Sequence, residues 1–295
     1  MVKIAVVGSI NMDLVVTAER RPNAGETLFG KDFQTVPGGK GANQAVAAAR
    51  LGAEVAMIGC VGQDVFGKEM IDNLKQNGVS IDHVEPVTHE SSGTAHITIA
   101  EGDNSIICVE GANGKLTPSY VEKAASTLKA ADMILIQQEI PEETVEYVAV
   151  FCKKYDKKLI LNPAPARKVS DEVIAHATYI TPNEHEFAIL FGEENRSKML
   201  AKYPNKLIIT EGKNGVRYHN GETEVVIPSY KVDEPVDTTG AGDTFNGAFA
   251  VAIAEGKGID EALQFANRAA SLSVMKPGAQ GGMPTRKEVE EMLKQ

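Results

Sequence analysis

The chain has 295 residues, is 43% hydrophobic, and carries 30 lysines and arginines against 40 aspartates and glutamates, a formal charge of -10. That length and apolar content supply a large core, and the acidic balance without a basic run excludes a general nucleic-acid binder and a membrane-surface protein. A phosphate ligand is not excluded, because helix ends and metal ions hold phosphates without net positive charge.

The N-terminal KIAVVGSI is a continuous apolar run closed by glycine and serine, which predicts a buried strand of a parallel sheet. Its opening is too short and too quickly polar for a signal peptide, and no run approaches a membrane span. GANQAVAAARLG follows as an alanine-rich helix closed by Gly52, then EVAMIGCVG as a strand and FGKEMIDNLKQNG as a helix ending at Gly78. DMILIQ, KLILN and KLIIT read as further buried strands, with helical segments such as EETVEYVAVFCKKY between them. GIDEALQFANRAASLSVMK predicts an amphipathic helix and PTRKEVEEMLKQ a short capped one. This alternation implies one α/β domain over residues 1–295, a doubly wound, mostly parallel sheet with helices on both faces.

Two stretches break the alternation. Residues 12–37 contain no good helix, and residues 91–110 read as a hairpin about Gly102, Asp103 and Asn104. Together they form either a small β-sheet lid over a site or an ordinary surface sheet. Cys60, Cys108 and Cys152 are odd in number and widely spaced in apolar contexts, which predicts buried thiols in a reducing compartment and a cytoplasmic protein.

Several segments carry candidate chemistry. In GSINMDLVV, Asn11 and Asp13 lie two apart after the first strand and face the same side of an extended segment, suited to the vicinal hydroxyls of a sugar or to an Asx turn. PGGKGANQAVAAA (37–49) joins a turn containing Gly39, Lys40 and Gly41 to a helix whose first turn projects Asn43. It reads equally as a structural turn or a binding loop, and it is neither a Walker A loop nor a dinucleotide fingerprint. Glu139 follows DMILIQ at the C-terminal end of a strand, where open α/β sheets bind ligands. In TPNEHE, Asn183 and Glu186 have the spacing of a helix-capping pair and of a pair reaching a hydrated Mg²⁺. IITEGKNG is a strand and a glycine-bearing turn, open to nucleotide contact or to a plain hairpin. In DTTGAGDTFNG the amides of Gly240, Ala241 and Gly242, at a helix start, are placed to form a hole for phosphoryl oxygens, with Asp243 able to accept a proton from an attacking hydroxyl; a plain capped helix is the lesser reading of the same pattern.

At GGKGANQAVAAARLG and DTTGAGDTFNGAF the sequence resembles the ribokinase branch of the PfkB carbohydrate-kinase family, and the similarity runs over essentially the whole chain. The resemblance implies a lidded α/β fold, a homodimer in which the lids of two subunits meet, and the reaction of ATP with D-ribose to give D-ribose 5-phosphate and ADP. It implies Asp243 as general base with Gly240, Ala241 and Gly242 lining the anion hole, and Asn11, Asp13, Gly39, Lys40, Gly41, Asn43 and Glu139 as sugar-binding positions. It implies Asn183, Thr210, Gly212, Gly215, Gly242 and Asn267 around the nucleotide and Glu186 as an indirect partner of Mg²⁺. It also implies activation by K⁺ at Asp237, Thr239, Ser273, Lys276, Gly278 and Gly282. The 192–206 span is shorter than the family pattern, and TEGKNG carries Glu211 and Lys213 where a more neutral turn is common. Other sugar or nucleoside kinases of the family, for fructose, deoxyribose or a keto-deoxy sugar acid, and a catalytically silent sugar-binding protein are the competing readings.

Overall fold

The structure, a computed structural model, describes residues 1–192 and 194–294. In chain order the first half comprises β1 (Lys3–Val7), β2 (Asn11–Thr17), β3 (Asp32–Gly38), α1 (Lys40–Arg50), β4 (Glu54–Gly62), α2 (Val65–Gln76), β5 (Ser80–Val87), β6 (Gly93–Ala100), β7 (Asp103–Val109), α3 (Pro118–Glu122), α4 (Ala125–Ala130) and β8 (Met133–Ile136). The second half comprises α5 (Glu142–Lys154), β9 (Leu159–Leu161), α6 (Asp171–His176), β10 (Tyr179–Ile180), α7 (Glu184–Phe191), α8 (Arg196–Lys202), β11 (Ile208–Thr210), β12 (Val216–His219), β13 (Glu224–Ile227), α9 (Ala241–Ala254), α10 (Ile259–Ser273) and α11 (Arg286–Leu293).

The apolar strands pair in parallel as a six-stranded sheet in the order β10-β9-β8-β1-β4-β5. Alternate residues of β1 serve opposite faces, as the strand period requires. Ile4 and Val6 pack with Ala45, Val46, Ala248, Phe249 and Leu263 from α1, α9 and α10. Ala5 and Val7 pack with Val121, Leu128, Val145 and Val148 from α3, α4 and α5. The sheet is therefore doubly wound with helices on both faces, and each large side chain buried in this way stabilises by about 1.5–3 kcal/mol. Strand order reverses beside β1, with β4 on one side and β8 on the other. Such a reversal opens a crevice at the C-terminal ends of the strands.

A four-stranded sheet, β3-β2-β6-β7, stands apart from it, antiparallel except for the β2–β6 pair. The β6–β7 turn sits at Glu101 and Gly102, both with positive φ (58° and 76°), and Asp103 already pairs with Ala100. The turn is thus displaced toward the N-terminus from the predicted centre, because a two-residue hairpin loop with both φ positive matches the twist of its strands. β11, expected as one more strand of the parallel sheet, instead joins β12 and β13 in an antiparallel sheet. Among the described residues isolated bridges, Ile180 to Leu207 and Asn183 to Thr210, link it to the main sheet, because β10 is two residues long and offers little edge.

Cys60 and Cys152 are buried, and burial pushes both thiols up to about 12. Cys108 corrects the expectation of three buried thiols: it is exposed, on a strand whose residues are all exposed. Every residue of β7 is exposed, so an apolar side chain there gains little burial. Glu193 of the 192–206 span lies outside the described residues; the rest holds α8, capped by Asn195 accepting from Lys198 N at 3.0 Å. Among the described residues no helix is long and apolar enough to cross a membrane.

Candidate active site

The N-terminal turns of α1 and α9 converge on one carboxylate. Helix α9 begins after Gly240, whose φ is 76° and whose added Cβ would lie 2.8 Å from Ala279 Cα, so only glycine fits. Helix α1 begins after Gly39, with φ 86° and an added Cβ only 2.6 Å from Asn11 N. Gly41 likewise sits against the Ser9 backbone, at 2.6 Å. These close approaches bring the first turn of α1 onto the segment leaving β1. Asp243 is buried, and each of its oxygens accepts one amide: Oδ2 from Asn43 Nδ2 at 2.9 Å and Oδ1 from Gln44 Nε2 at 3.0 Å.

Burial pushes the Asp243 carboxyl up, opposed by Lys40 and the two amides, which favour the charged form. Burial also works against the Lys40 charge, but the carboxylates of Asp243, Glu139 and Glu186 outweigh it and hold the ammonium above its usual range. Asp243 lies in the first turn of α9, where free amides and the helix dipole favour negative charge.

A cavity of about 480 Å³ opens at the crevice between β1 and β8, a size suited to a small ligand. Asn11, Asp13, Gly39, Lys40, Asn43, Glu139, Thr239, Gly240 and Asp243 line it together, joined by Asn113 and Gln138. Ala95, Ile97, Ile106, Cys108 and Val109 of the small sheet form its apolar wall. Glu139 Oε2 accepts from Ser9 Oγ, from Lys40 N at 3.0 Å and from Asn11 Nδ2 at 3.5 Å. Asn11 Oδ1 accepts from Asn113 Nδ2 at 2.7 Å. The Asp13 carboxyl is pushed up to about 7, first by burial and then by the carboxylates of Glu139 and Asp243. One ammonium, Lys40, and the carboxylates of Asp13, Glu110, Glu139 and Asp243 around a partly apolar hollow can bind a neutral polyol and accept its protons. Gly41, Ala241 and Gly242 are not among the lining residues; the first is packed under the cavity floor, and the other two follow Gly240 into α9.

The remaining predicted positions fall outside that cavity. Asn183 caps α7 and closes a reciprocal capping box with Glu186, accepting from Glu186 N at 2.8 Å while Glu186 Oε2 accepts from Asn183 N at 2.8 Å. Burial pushes the Glu186 carboxyl up, countered by that amide and by Lys40. Thr210 bridges to Asn183. Gly212 lies at the start of a short 3-10 turn with open space about it, and Gly215 closes that turn with φ 94° and an added Cβ 2.1 Å from Ile227 O. Asn267 is buried on α10 and donates to Ile227 O and Pro228 O, both at 3.1 Å, so Gly215 and Asn267 meet at the same end of β13. Glu211 pairs with Arg217 at 2.7 Å and Arg196 at 3.0 Å, which neutralises the charge that distinguishes this turn.

Asp237 joins two loops. Its Oδ1 accepts from Thr239 N at 2.9 Å and its Oδ2 from Gly278 N at 2.8 Å, while Val236 N and Asp237 N donate to Val274 O. Gly282 lies so close to Ser273 that an added Cβ would stand 1.8 Å from the Ser273 carbonyl oxygen. Lys276 is exposed. One carboxylate among backbone carbonyls is a hard, weakly charged donor set, which fits a monovalent cation better than a zinc-type ion. Among the described residues no group of His, Cys, Asp and Glu side chains could hold a metal ion alone. Glu186 as a single carboxylate fits Mg²⁺ only in the usual manner of that ion, with water and substrate phosphates completing its shell.

Sequence reading missed Ser9, Gln44, Asn113 and Gln280, all buried and all bonded to site residues. Gln44 was adjacent to a predicted residue; the others carry no local signal because their partners are remote in sequence.

A family model described as pfkB family carbohydrate kinase matches residues 1–286. The ribokinase of Bacillus subtilis (strain 168) is 65% identical over 293 residues, covering 99% of this chain and 100% of that protein. The ribokinase of Lactococcus lactis subsp. lactis (strain IL1403) is 50% identical over 296 residues, covering 100% of this chain and 98% of that protein. Among solved structures, Arabidopsis thaliana ribokinase complexed with ribose and ATP superposes with a TM-score of 0.93 at 37% identity, covering 100% of both chains.

Proposed function

The chain belongs to the pfkB family of carbohydrate kinases, and on that premise we propose that it transfers the γ-phosphoryl group of ATP to the 5-hydroxyl of D-ribose, giving D-ribose 5-phosphate and ADP. The observation that carries this reading is a buried carboxylate, Asp243, on the wall of a sugar-sized cavity and in the first turn of a glycine-led helix. Asp243 accepts the proton of the attacking hydroxyl as the new P–O bond forms and the bond to the ADP leaving oxygen breaks. The amides of Gly240, Ala241 and Gly242 face the charge that builds on the transferring group, as helix N-termini do.

Asn11, Asp13 and Glu139 hold the ring hydroxyls, Asn43 and Lys40 flank the reacting end, and Gly39 and Gly41 allow the close approach of the α1 turn to the sugar site. Asn183, Thr210, Gly212, Gly215, Gly242 and Asn267 form the nucleotide side, with Gly242 in the first turn of α9 beside Asp243. Glu186, with water and the substrate phosphates, would hold Mg²⁺, which would supply neutralisation of phosphate charge beyond what Lys40 provides. The loops of Asp237, Thr239, Ser273, Lys276, Gly278 and Gly282 would hold K⁺, whose charge would steady the turn that leads into the Gly240 amides. The small sheet, formed by 12–37 and 91–110, acts as the lid that excludes water. Phe33, Ile106, Ile107 and Val109 are exposed large apolar residues on it, which supports a homodimer through the lids.

The test is ADP formation from Mg·ATP with ribose, deoxyribose, fructose and a keto-deoxy sugar acid, with K⁺ or with tetramethylammonium. Ribose as the best substrate, with turnover raised by K⁺, is expected. Turnover confined to another sugar overturns the substrate, and silence on all of them overturns the kinase reading in favour of a sugar-binding protein.

A further inference from the structure

Asn43 presents its amide N–H to Asp243 Oδ2, but an asparagine amide rotated by half a turn has nearly the same shape and would present its carbonyl instead. Something must fix the orientation. Asn43 Oδ1 accepts from Gln280 Nε2 at 2.9 Å, and Gln280 Oε1 accepts from Asn73 Nδ2 at 2.8 Å. Asn73 Oδ1 accepts from Asn77 Nδ2 at 3.3 Å, and Asn77 Oδ1 accepts from Arg50 Nε at 2.9 Å. The chain of bonds begins at a guanidinium, which can only donate, and ends at a carboxylate, which when ionised can only accept. Every amide between them is therefore set head to tail, and such chains strengthen cooperatively. Arg50 Nη1 also donates to the carbonyls of Gln280 and Met283, which anchors the loop that carries Gln280.

From this arrangement we infer that Gln280 is a positioning residue for the proton acceptor: it locks the Asn43 amide so that N–H, and not C=O, faces Asp243, with Arg50, Asn77 and Asn73 fixing its own direction. The inference rests on Asp243 being that acceptor. Gln280 does not line the cavity and is buried, so it acts through Asn43 alone. Gln137 and Gln44 make a shorter relay of the same polarity to the other oxygen, Gln137 Nε2 donating to Gln44 Oε1 at 2.7 Å. The charged groups that act on Asp243 are Lys40 of α1, Glu139 beyond β8, Asp13 of β2 and Glu186 of α7, and Gln280→Leu changes none of them. Gln280→Glu adds a carboxylate whose charge moves the acid limb in the same direction as the rotated amide, so the Leu variant carries the test.

The test compares Gln280→Leu, which removes the donor, with Gln280→Glu, which sets an acceptor against Asn43 Oδ1 and favours the rotated amide. For Gln280→Leu, kcat is expected to fall by about 10-fold, the scale of one hydrogen bond to a charged group, with KM for ribose nearly unchanged. The acid limb of the kcat–pH profile is expected to move to higher pH, because a carboxylate losing an N–H donor holds its proton more tightly. Gln280→Glu is expected to move it further. Asn73→Leu, on the far side of the relay, serves if the Gln280 variants do not fold, and is expected to shift the limb in the same direction by less. A wild-type acid limb in the folded variants, or a fall in kcat with an unmoved limb, overturns the inference. Asp243→Asn run alongside separates the premise: turnover surviving in that variant rejects Asp243 as acceptor, whereas a dead Asp243→Asn with unaltered Gln280 profiles rejects the relay alone.

Discussion

Asn43 donates to Asp243 at 2.9 Å across 200 positions of sequence, so the carboxylate proposed as proton acceptor and the residue that meets it come from helices far apart in the chain. Their contact depends on how closely α1 and α9 approach. Gly247 sets that approach: an added Cβ would lie 2.8 Å from Ala47 Cβ and 2.9 Å from Gln44 O. The Gly247→Ala variant is expected to push the helices apart, costing about 1–3 kcal/mol of stability as overpacking does. It should also lower kcat more than it raises KM for ribose, because both amides to Asp243 ride on α1. Urea unfolding together with steady-state kinetics checks this; a stable variant with normal kcat would show that the interface yields without disturbing the site.

Asp243→Ala removes the proposed proton acceptor but leaves the other residues that line the cavity in place. Turnover is expected to fall by about 10²–10⁴-fold, the usual scale for a general base. Ribose affinity by calorimetry should stay close to that of the parent protein. Near-normal kcat in this variant would remove Asp243 from its role.

Asp13 gives the site a pH dependence of definite sign. Its carboxyl in the free protein is pushed up to about 7, from an ordinary 3.8, by burial and by the neighbouring carboxylates of Glu139 and Asp243. Between those two values the folded chain holds a proton that the unfolded chain releases. This group therefore destabilises the free protein as pH rises from about 4 to about 7. Sugar binding runs the other way, since the ionised form is the one that accepts hydroxyls. kcat/KM for ribose is expected to fall as pH drops below 7, and the rise in Tm produced by ribose should shrink over the same range. A flat profile between pH 6 and 8, or the same slope in Asp13→Asn, would assign the dependence elsewhere.

Much of this arrangement was legible in the chain because it depends on local chemistry. The alternation of apolar runs and helices specified a doubly wound sheet, and Glu139 could be placed at a strand end by position alone. The glycines around Lys40 and before Asp243 marked backbone positions where Gly39 and Gly240 take positive φ. Partners remote in sequence were not legible. Nothing near Gln280 tells that it bonds Asn43, 237 residues away, and nothing near Asn113 tells that it holds Asn11. The pairing of β11 escaped as well, since an apolar triplet suits a parallel strand and an antiparallel hairpin equally, and the shortness of β10 decided between them.

The exposed thiol of Cys108 offers a direct probe of the cavity wall. It lies on the lining with Ile106 and Val109, whereas Cys60 and Cys152 are buried. Iodoacetamide is expected to label Cys108 first, slowly at neutral pH because burial of part of the side chain and the nearby Glu139 push its thiol up. Labelling should abolish ribose turnover, ribose should slow it, and Cys108→Ser should resist it. Full activity after complete labelling would place the sugar away from β7.

Gly282 tests the cation loop in a way that activity alone does not. An added methyl would stand 1.8 Å from the Ser273 carbonyl oxygen, so Gly282→Ala must displace backbone on one side or the other. The displaced carbonyl is one of the oxygens proposed to hold K⁺, while Asp237 keeps its two backbone donors, Thr239 N and Gly278 N. The K⁺ concentration for half-maximal turnover is expected to rise, with activity partly restored at high K⁺. The increase in Tm on adding K⁺ to the free protein should shrink in parallel, since a ligand that binds only the folded state stabilises in proportion to its affinity. If Gly282→Ala loses activity while both K⁺ responses stay as in the parent, the loop supports the Gly240 turn by packing and not by holding a cation.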